Sequence, residues 1–228
     1  MNIYEDAVLK IVARKGGNSS ESGIVLLSFT GVGHAMGGID VQNPEFFGAG
    51  RTFDNIIFIT DTTRSWSNAL DYRKIKELIA PYIDGKEVHS IGNSMGGFNA
   101  IVSTHHIATK TCISFSPQFS INPEHVPWER RWRNYSSQIN NFSVDNAGTF
   151  INERTCYYIF SGGEGLDFKH AKMFPVKKNV FHRAVKNVEH NVAQTMKEKG
   201  ILGDVISNCF KHRPLNLGLE CERLSPEE

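Results

Sequence analysis

Short apolar runs alternate with helical patterns along most of this 228-residue chain. The runs GIVLLSF (23–29), NIIFIT (55–60) and CYYIFS (156–161) are almost continuously apolar. Such runs are typical of strands that are covered on both faces of a parallel sheet. A looser apolar alternation at 7–14 predicts an edge strand. Comparable runs predict three more strands, at 87–93, 111–116 and 179–185.

Helical patterns fall between these predicted strands. In LDYRKIKELIAPYI (70–83) apolar residues recur at helical spacing, and 95–108 and 191–200 also have helical patterns. Strands that alternate with helices favour an α/β fold with a doubly wound, mostly parallel sheet. We therefore predict a single domain over 1–228. Ligands of such sheets bind beyond the carboxyl ends of the strands, so the loops that follow strands are the expected place for chemistry.

Two segments depart from the alternation. Residues 117–150, which we call the cap segment, are too long for a simple crossover between strands. They carry Trp128, Trp132 and three arginines, and we expect them to form a small cap over the active edge of the sheet. Residues 214–228 end in a polar, acidic stretch, which predicts a frayed tail.

The overall composition excludes several classes of function. A formal net charge of +1 provides no field that would attract nucleic acid or an acidic membrane. The sequence has no apolar run long enough to span a bilayer and no secretory signal at its start. Its four cysteines lack CxxC spacing, which favours buried free thiols over a zinc site. We therefore expect a cytoplasmic protein without a nucleic-acid or membrane partner; its oligomeric state stays open.

The segment VHSIGNSMGGFNA (88–100) places Ser94 between Gly92 and Gly96, directly after a predicted strand and before a predicted helix. A nucleophile on a sharp strand-turn-helix needs neighbours without side chains, because its own backbone is strained. The helix that follows also favours developing negative charge at its start. The pattern predicts a nucleophilic serine, with a tight structural turn as the alternative. The glycine-rich stretch at 31–38 has neither the spacing nor the lysine of a phosphate loop.

With GNSMGG as a nucleophile elbow, residues from about 23 to about 210 resemble the α/β-hydrolases. The resemblance implies a triad in the chain order serine, acid, histidine, and no metal or organic cofactor. His190 matches the base, since it follows the last predicted strand and precedes a helix; a helix-capping or surface role is the alternative. The acid follows CYYIFS, where Asp167 fits the family position better than Glu164.

The resemblance also implies an oxyanion hole with two N–H donors. One donor is the backbone of Met95, the residue after the serine. The other belongs to the loop after the strand at 23–29, where Thr30 or Gly31 is the candidate. His34 in the same loop is a candidate substrate-binding residue.

Three further residues are candidates for binding a substrate. Asp61 and Trp66 follow the strand at 55–60, and Trp128 lies in the cap segment. A local turn network accounts for Asp61 equally well, and a packed helical face is the alternative for Trp128.

These residues together predict a serine hydrolase that cleaves a small-molecule carboxylic ester through an acyl-enzyme. The cap segment is short and rich in polar residues, which favours a short acyl group or a polar, sugar-like alcohol. A thioesterase with the same triad is one alternative. A noncatalytic binding protein of the same fold is the other, because fold alone does not determine function.

Overall fold

The structure is a computed structural model that describes residues 1–15, 21–33, 42–51 and 53–226. Within these residues one sheet contains nine strands in the spatial order β1-β2-β4-β3-β5-β6-β7-β8-β9. Strands β3 to β8 are mutually parallel, whereas β1, β2 and β9 run antiparallel to their neighbours. The strands are β1 (Asn2–Glu5), β2 (Leu9–Lys15), β3 (Glu21–Phe29), β4 (Phe53–Asp61), β5 (Glu87–Asn93), β6 (Thr111–Phe115), β7 (Cys156–Gly162), β8 (Val180–Val185) and β9 (Cys221–Arg223).

Helices cover both faces of this sheet. They are α1 (Tyr72–Ile83), α2 (Met95–His106), α3 (Arg133–Ser136), α4 (Gly165–Ala171), α5 (Val192–Glu198) and α6 (Leu202–Phe210). Asp71 begins α1 by accepting N–H hydrogen bonds from Arg73 and Lys74, as N-cap aspartates do. None of the helices within the described ranges has the length and apolar character that a bilayer span requires.

Neighbouring residues of the central strands face two separate apolar cores. Leu27 pairs with Ile57 in one core, and Leu26 pairs with Ile56 in the other. All four side chains are fully buried, and burying each contributes about 1.5–3 kcal/mol. A strand buried on both faces must be apolar throughout, which explains the continuous runs in the sequence. The predicted α/β class with a mostly parallel sheet is therefore confirmed.

The two ends of the sheet differ from the sequence prediction. The run at 7–14 corresponds to β2, which lies inside the sheet because β1 pairs with its outer edge. The predicted frayed tail contains β9, which pairs antiparallel with β8. Both missed strands are short, and an edge strand with exposed faces carries no apolar pattern. All four cysteines are free.

The cap segment connects β6 to β7 and is mostly irregular. It contains α3 and one 3-10 turn at Gly148–Phe150. Its two ends are joined by a bridge between Ser120 and Asn146. This closed loop brings residues 129–132 back towards the carboxyl ends of the parallel strands, where the site described next lies.

Candidate active site

Ser94 lies on the sharp turn between β5 and α2. Its φ is 57° and its ψ is −124°, a combination that is strained for any residue with a side chain. The Ser94 N–H donates to the carbonyl of Phe115 on β6 at 2.8 Å, which holds the turn. A Cβ atom on Gly92 would overlap the Gly96 carbonyl, and one on Gly96 would overlap the Phe29 carbonyl. Both glycines are therefore required by close approach of the backbone.

Three side chains form a hydrogen-bonded series at this turn. The Oγ atom of Ser94 lies 2.9 Å from Nε2 of His190. Nδ1 of the same imidazole lies 2.7 Å from Oδ1 of Asp167. An ionised carboxylate only accepts hydrogen bonds, so Nδ1 carries the proton and Nε2 accepts from the serine. The arrangement can move a proton from Ser94 to His190.

Each member of the series comes from a different connection at the same edge of the sheet. Ser94 follows β5, and Asp167 is in α4, which follows β7 after two residues. His190 is in the loop between β8 and α5. These strands are parallel, so their carboxyl ends lie together and the loops that follow them can meet. Ser94 and Asp167 are buried, whereas the His190 side chain is 14% exposed.

The structure does not bring Glu164 to His190. Glu164 is exposed and accepts a long hydrogen bond of 3.4 Å from the backbone N–H of Asn187. Of the two acids considered from the sequence, only Asp167 contacts the imidazole among the described residues.

The charge of Asp167 is supported by two neighbours. Burial alone would raise the pKa of this carboxyl, but the hydrogen bond and charge of His190 together with the Arg131 guanidinium outweigh it and lower the pKa. Arg131 Nη1 donates to Oδ2, the oxygen that does not face His190. From the sequence, a solvated helix face was the favoured interpretation of Arg131, because no local pattern connects the cap segment to α4.

The candidate oxyanion donors differ in availability. The Thr30 N–H donates to the carbonyl of Ile59 at 3.0 Å within the sheet, so the structure does not offer it to the site. The Gly31 N–H hydrogen-bonds the carboxyl of Glu45. Met95 is the first residue of α2, and N–H groups in the first turn of a helix have no partner within that helix. Met95 is therefore the donor that the geometry favours.

A small cavity adjoins Ser94. Its volume is about 10 Å³, which is roughly the space of one water molecule. Burial raises the pKa of Glu45, which lines it, to about 7 against the opposing hydrogen bond from Gly31. The ring of Trp132, which also lines it, lies 5.7 Å from that of His190. The wall consists of Gly31, Val32, Gly33, Glu45, Asn93, Ser94 and Trp132.

Gln118 is a second residue that contacts Ser94. Its Nε2 atom donates to the Ser94 Oγ at 3.3 Å, and its Oε1 atom accepts from the Trp66 indole at 2.8 Å. All three side chains are buried. Gln118 was not among the residues predicted from the sequence. Its one available signal was its place in the loop that follows the strand at 111–116.

The remaining candidates are not brought to Ser94 directly. Trp66 reaches it only through Gln118. Asp61 accepts hydrogen bonds from Thr63 and Ser65 at 2.8 and 2.9 Å, as in the turn network considered from the sequence. Trp128 lies against His170, with ring centroids 4.6 Å apart, and does not line the cavity. His34 lies outside the described residues.

Comparisons with known proteins find similarity of fold. No family model matches the chain, and no curated protein matches its sequence. The capsule O-acetyltransferase of Neisseria meningitidis serogroup A is 11% identical, with a TM-score of 0.60 over 90% of this chain and 94% of the other. The carboxylesterase CesB of Bacillus subtilis is 11% identical, with a TM-score of 0.54 over 94% and 92%. A lidless α/β serine hydrolase of Xanthomonas campestris is 9% identical, with a TM-score of 0.52 over 91% of each chain.

Proposed function

This chain has the α/β-hydrolase fold, and we propose that it uses that fold as a serine hydrolase that cleaves carboxylic esters. The observation that carries the proposal is the hydrogen-bonded series of Ser94, His190 and Asp167. The activities named for two similar structures, a carboxylesterase and an O-acetyltransferase, support chemistry of an acyl group bonded to oxygen.

The reaction proceeds in two halves. The Ser94 oxygen attacks the acyl carbon while His190 Nε2 takes the serine proton, and the Met95 N–H donates to the resulting oxyanion. His190 then gives the proton to the leaving alcohol, and the acyl group stays on Ser94. In the second half water attacks the acyl-enzyme, His190 takes a proton from the water, and the proton returns to Ser94 as the acid leaves. No step requires a metal or organic cofactor.

The strain at Ser94 supports an enzyme over a noncatalytic protein of the same fold. A residue held at positive φ costs on the order of 1–3 kcal/mol. The Ser94 turn has this strained conformation and also faces an imidazole that is hydrogen-bonded to a buried carboxylate. A surface that only binds has no need of this combination.

The substrate class follows from the cavity beside Ser94. A space of about 10 Å³, roughly that of one water molecule, favours the smallest acyl groups next to the reacting carbon. We therefore propose a short acyl group, with acetyl as the reference substrate. A thioester of the same acyl group remains the alternative, because the same three residues serve a thiol leaving group.

Covalent labelling tests the proposal. Intact-mass analysis after incubation with a fluorophosphonate is expected to show a single adduct, and peptide mapping is expected to place it on Ser94. Protein unfolded by heat is the control and should remain unlabelled, because the free serine hydroxyl is a weak nucleophile. The hydrolase proposal would be wrong if the parent protein stayed unlabelled and cleaved neither p-nitrophenyl acetate nor a thioester of acetate.

Replacement of Trp132 tests the acyl-group proposal. In Trp132→Ala the wall of the cavity is lost, so kcat/KM for p-nitrophenyl butyrate relative to acetate is expected to rise about tenfold, the effect of one or two methylenes in a pocket. Trp128→Ala is the matched control, since its ring lies on His170 rather than on the cavity. An unchanged ratio in Trp132→Ala, or an equal rise in both variants, would contradict this role of Trp132.

A further inference from the structure

Arg131 connects the cap segment to the proposed triad acid. Its Nη1 atom donates to Oδ2 of Asp167. The other edge of the guanidinium faces Glu129, with Nε 3.1 Å from both carboxylate oxygens and Nη2 2.6 Å from Oε2. Two buried carboxylates therefore share one arginine, whose side chain is 28% exposed. A planar fork can serve both partners in one geometry, which a lysine ammonium cannot do.

A buried histidine holds the far side of this group. His170 accepts the backbone N–H of Phe119 at Nδ1, at 3.1 Å. Nε2 therefore carries the proton and donates to the Glu129 carboxylate at 3.0 Å. The imidazole is neutral because its Nδ1 accepts a hydrogen bond and so carries no proton. Burial acts in the same direction and lowers the pKa of His170 despite the bond to Glu129. The hydrogen bonds of His170 and Arg131 keep Glu129 ionised, with its pKa lowered to about 2 against the effect of burial.

The net charge of this group changes each time His190 takes or gives up a proton in the proposed reaction. Before the reaction Asp167 and Glu129 are negative, Arg131 is positive and His190 is neutral, so the group carries one negative charge. It becomes neutral when His190 takes the serine proton. Without Arg131 the two carboxylates would leave two negative charges in a buried site, and one carboxylate would take up a proton instead.

We infer that Arg131 is a positioning residue that holds Asp167 ionised and directs its Oδ1 atom to His190. The expected effect of Arg131 on the rate rests on the proposed function, whereas its effect on the charge of Asp167 does not. The neighbouring Arg130 and Arg133 have no such contact in the described part of the chain. Among the described residues, the charged and titratable groups around Asp167 are His190 from the β8–α5 loop, Arg131 and Glu129 from the cap segment, and His170 from α4.

The kinetic test compares Arg131→Gln with Arg130→Gln as the matched control. Arg131→Gln is expected to lower kcat for p-nitrophenyl acetate by about 10- to 100-fold, the usual effect of removing a support of a site residue, with little change in KM. As the pH is lowered, Arg131→Gln should lose activity at a higher pH than the parent does, because its Asp167 carboxylate takes up a proton more readily. Arg131→Lys should recover part of the loss, and it replaces Arg131→Gln if that variant fails to fold.

A titration independent of activity completes the test. In the Ser94→Ala background, ¹³C NMR of the Asp167 carboxyl should show a higher pKa in Arg131→Gln than in the same background with Arg131 intact. If the parent enzyme cleaves no ester, this titration alone decides the inference, and the proposed function fails separately. Equal carboxyl titrations, or a fall in activity whose pH dependence does not move, would leave Arg131 as an ordinary surface ion pair and overturn the inference.

Discussion

Replacing Ser94 with alanine is expected to lower kcat for p-nitrophenyl acetate by about 10⁴- to 10⁶-fold, the range found when the nucleophile of a serine triad is removed. The change deletes the atom that carries the acyl group, so only the oxyanion donor and substrate binding remain to assist water. Alanine keeps the Cβ atom and the backbone of the elbow. It loses only the hydrogen bonds to His190 and Gln118.

Ser116→Ala is the matched control for this variant. Ser116 is also buried, follows the neighbouring strand β6 and has a positive φ of 44°. Activity of Ser116→Ala should stay within about twofold of the parent value, since the Ser116 Oγ has no hydrogen-bond partner among the described residues and the change therefore removes no hydrogen bond. Ser94→Ala must first be repurified so that contaminating esterase is excluded. If it then turns over substrate at more than a tenth of the parent rate, another group is the nucleophile.

Asp167→Asn is the second variant for which we expect a large effect, a fall in kcat of about 10⁴-fold. The reason is the direction in which the amide must point. Arg131 donates at the position of Oδ2, so it selects the amide oxygen and turns the NH₂ group towards His190. The imidazole then accepts at Nδ1 and carries its proton on Nε2, a tautomer that cannot take the proton of Ser94.

Glu164→Gln is the control for the acid, because Glu164 was the alternative from the sequence and is exposed in the structure. It is expected to retain the parent activity within about twofold. A deep loss in Glu164→Gln together with a small one in Asp167→Asn would reverse the assignment of the acid. Thermal unfolding of both variants distinguishes a catalytic loss from a loss of folded protein.

The central part of the fold was predictable from local patterns. A strand buried on both faces must be apolar throughout, so six of the nine described strands were visible as apolar runs. The strand β2, which is buried on alternate residues, was visible as a looser alternation. The short edge strands β1 and β9 were not, because their pairing depends on the exposed edge of β2 or β8 rather than on their own composition. The cap segment was expected to form a small cap over the active edge, but the sequence did not indicate which of its residues contact Asp167 and Ser94.

In the candidate site, too, some residues could be predicted from local patterns and others could not. Ser94 could be predicted because a nucleophile elbow imposes small residues at defined positions. The order of Ser94, Asp167 and His190 was then implied by the resemblance to the α/β-hydrolases. Glu45, Gln118 and Arg131 had no such signal. Each reaches the site from a loop whose conformation is decided by distant partners, as when Arg131 meets Asp167 36 positions away.

The sequence by itself determined the class of fold and the elbow at Ser94, because strand burial and backbone sterics act over a few neighbouring residues. The residues able to complete a triad were implied by the resemblance that the elbow carries. Only the tertiary structure decided that Asp167 rather than Glu164 faces His190, that Thr30 is committed to the sheet and that Trp132 closes the cavity. Those outcomes depend on hydrogen bonds and packing between segments far apart in the chain, and no local pattern of residues encodes which distant groups will meet.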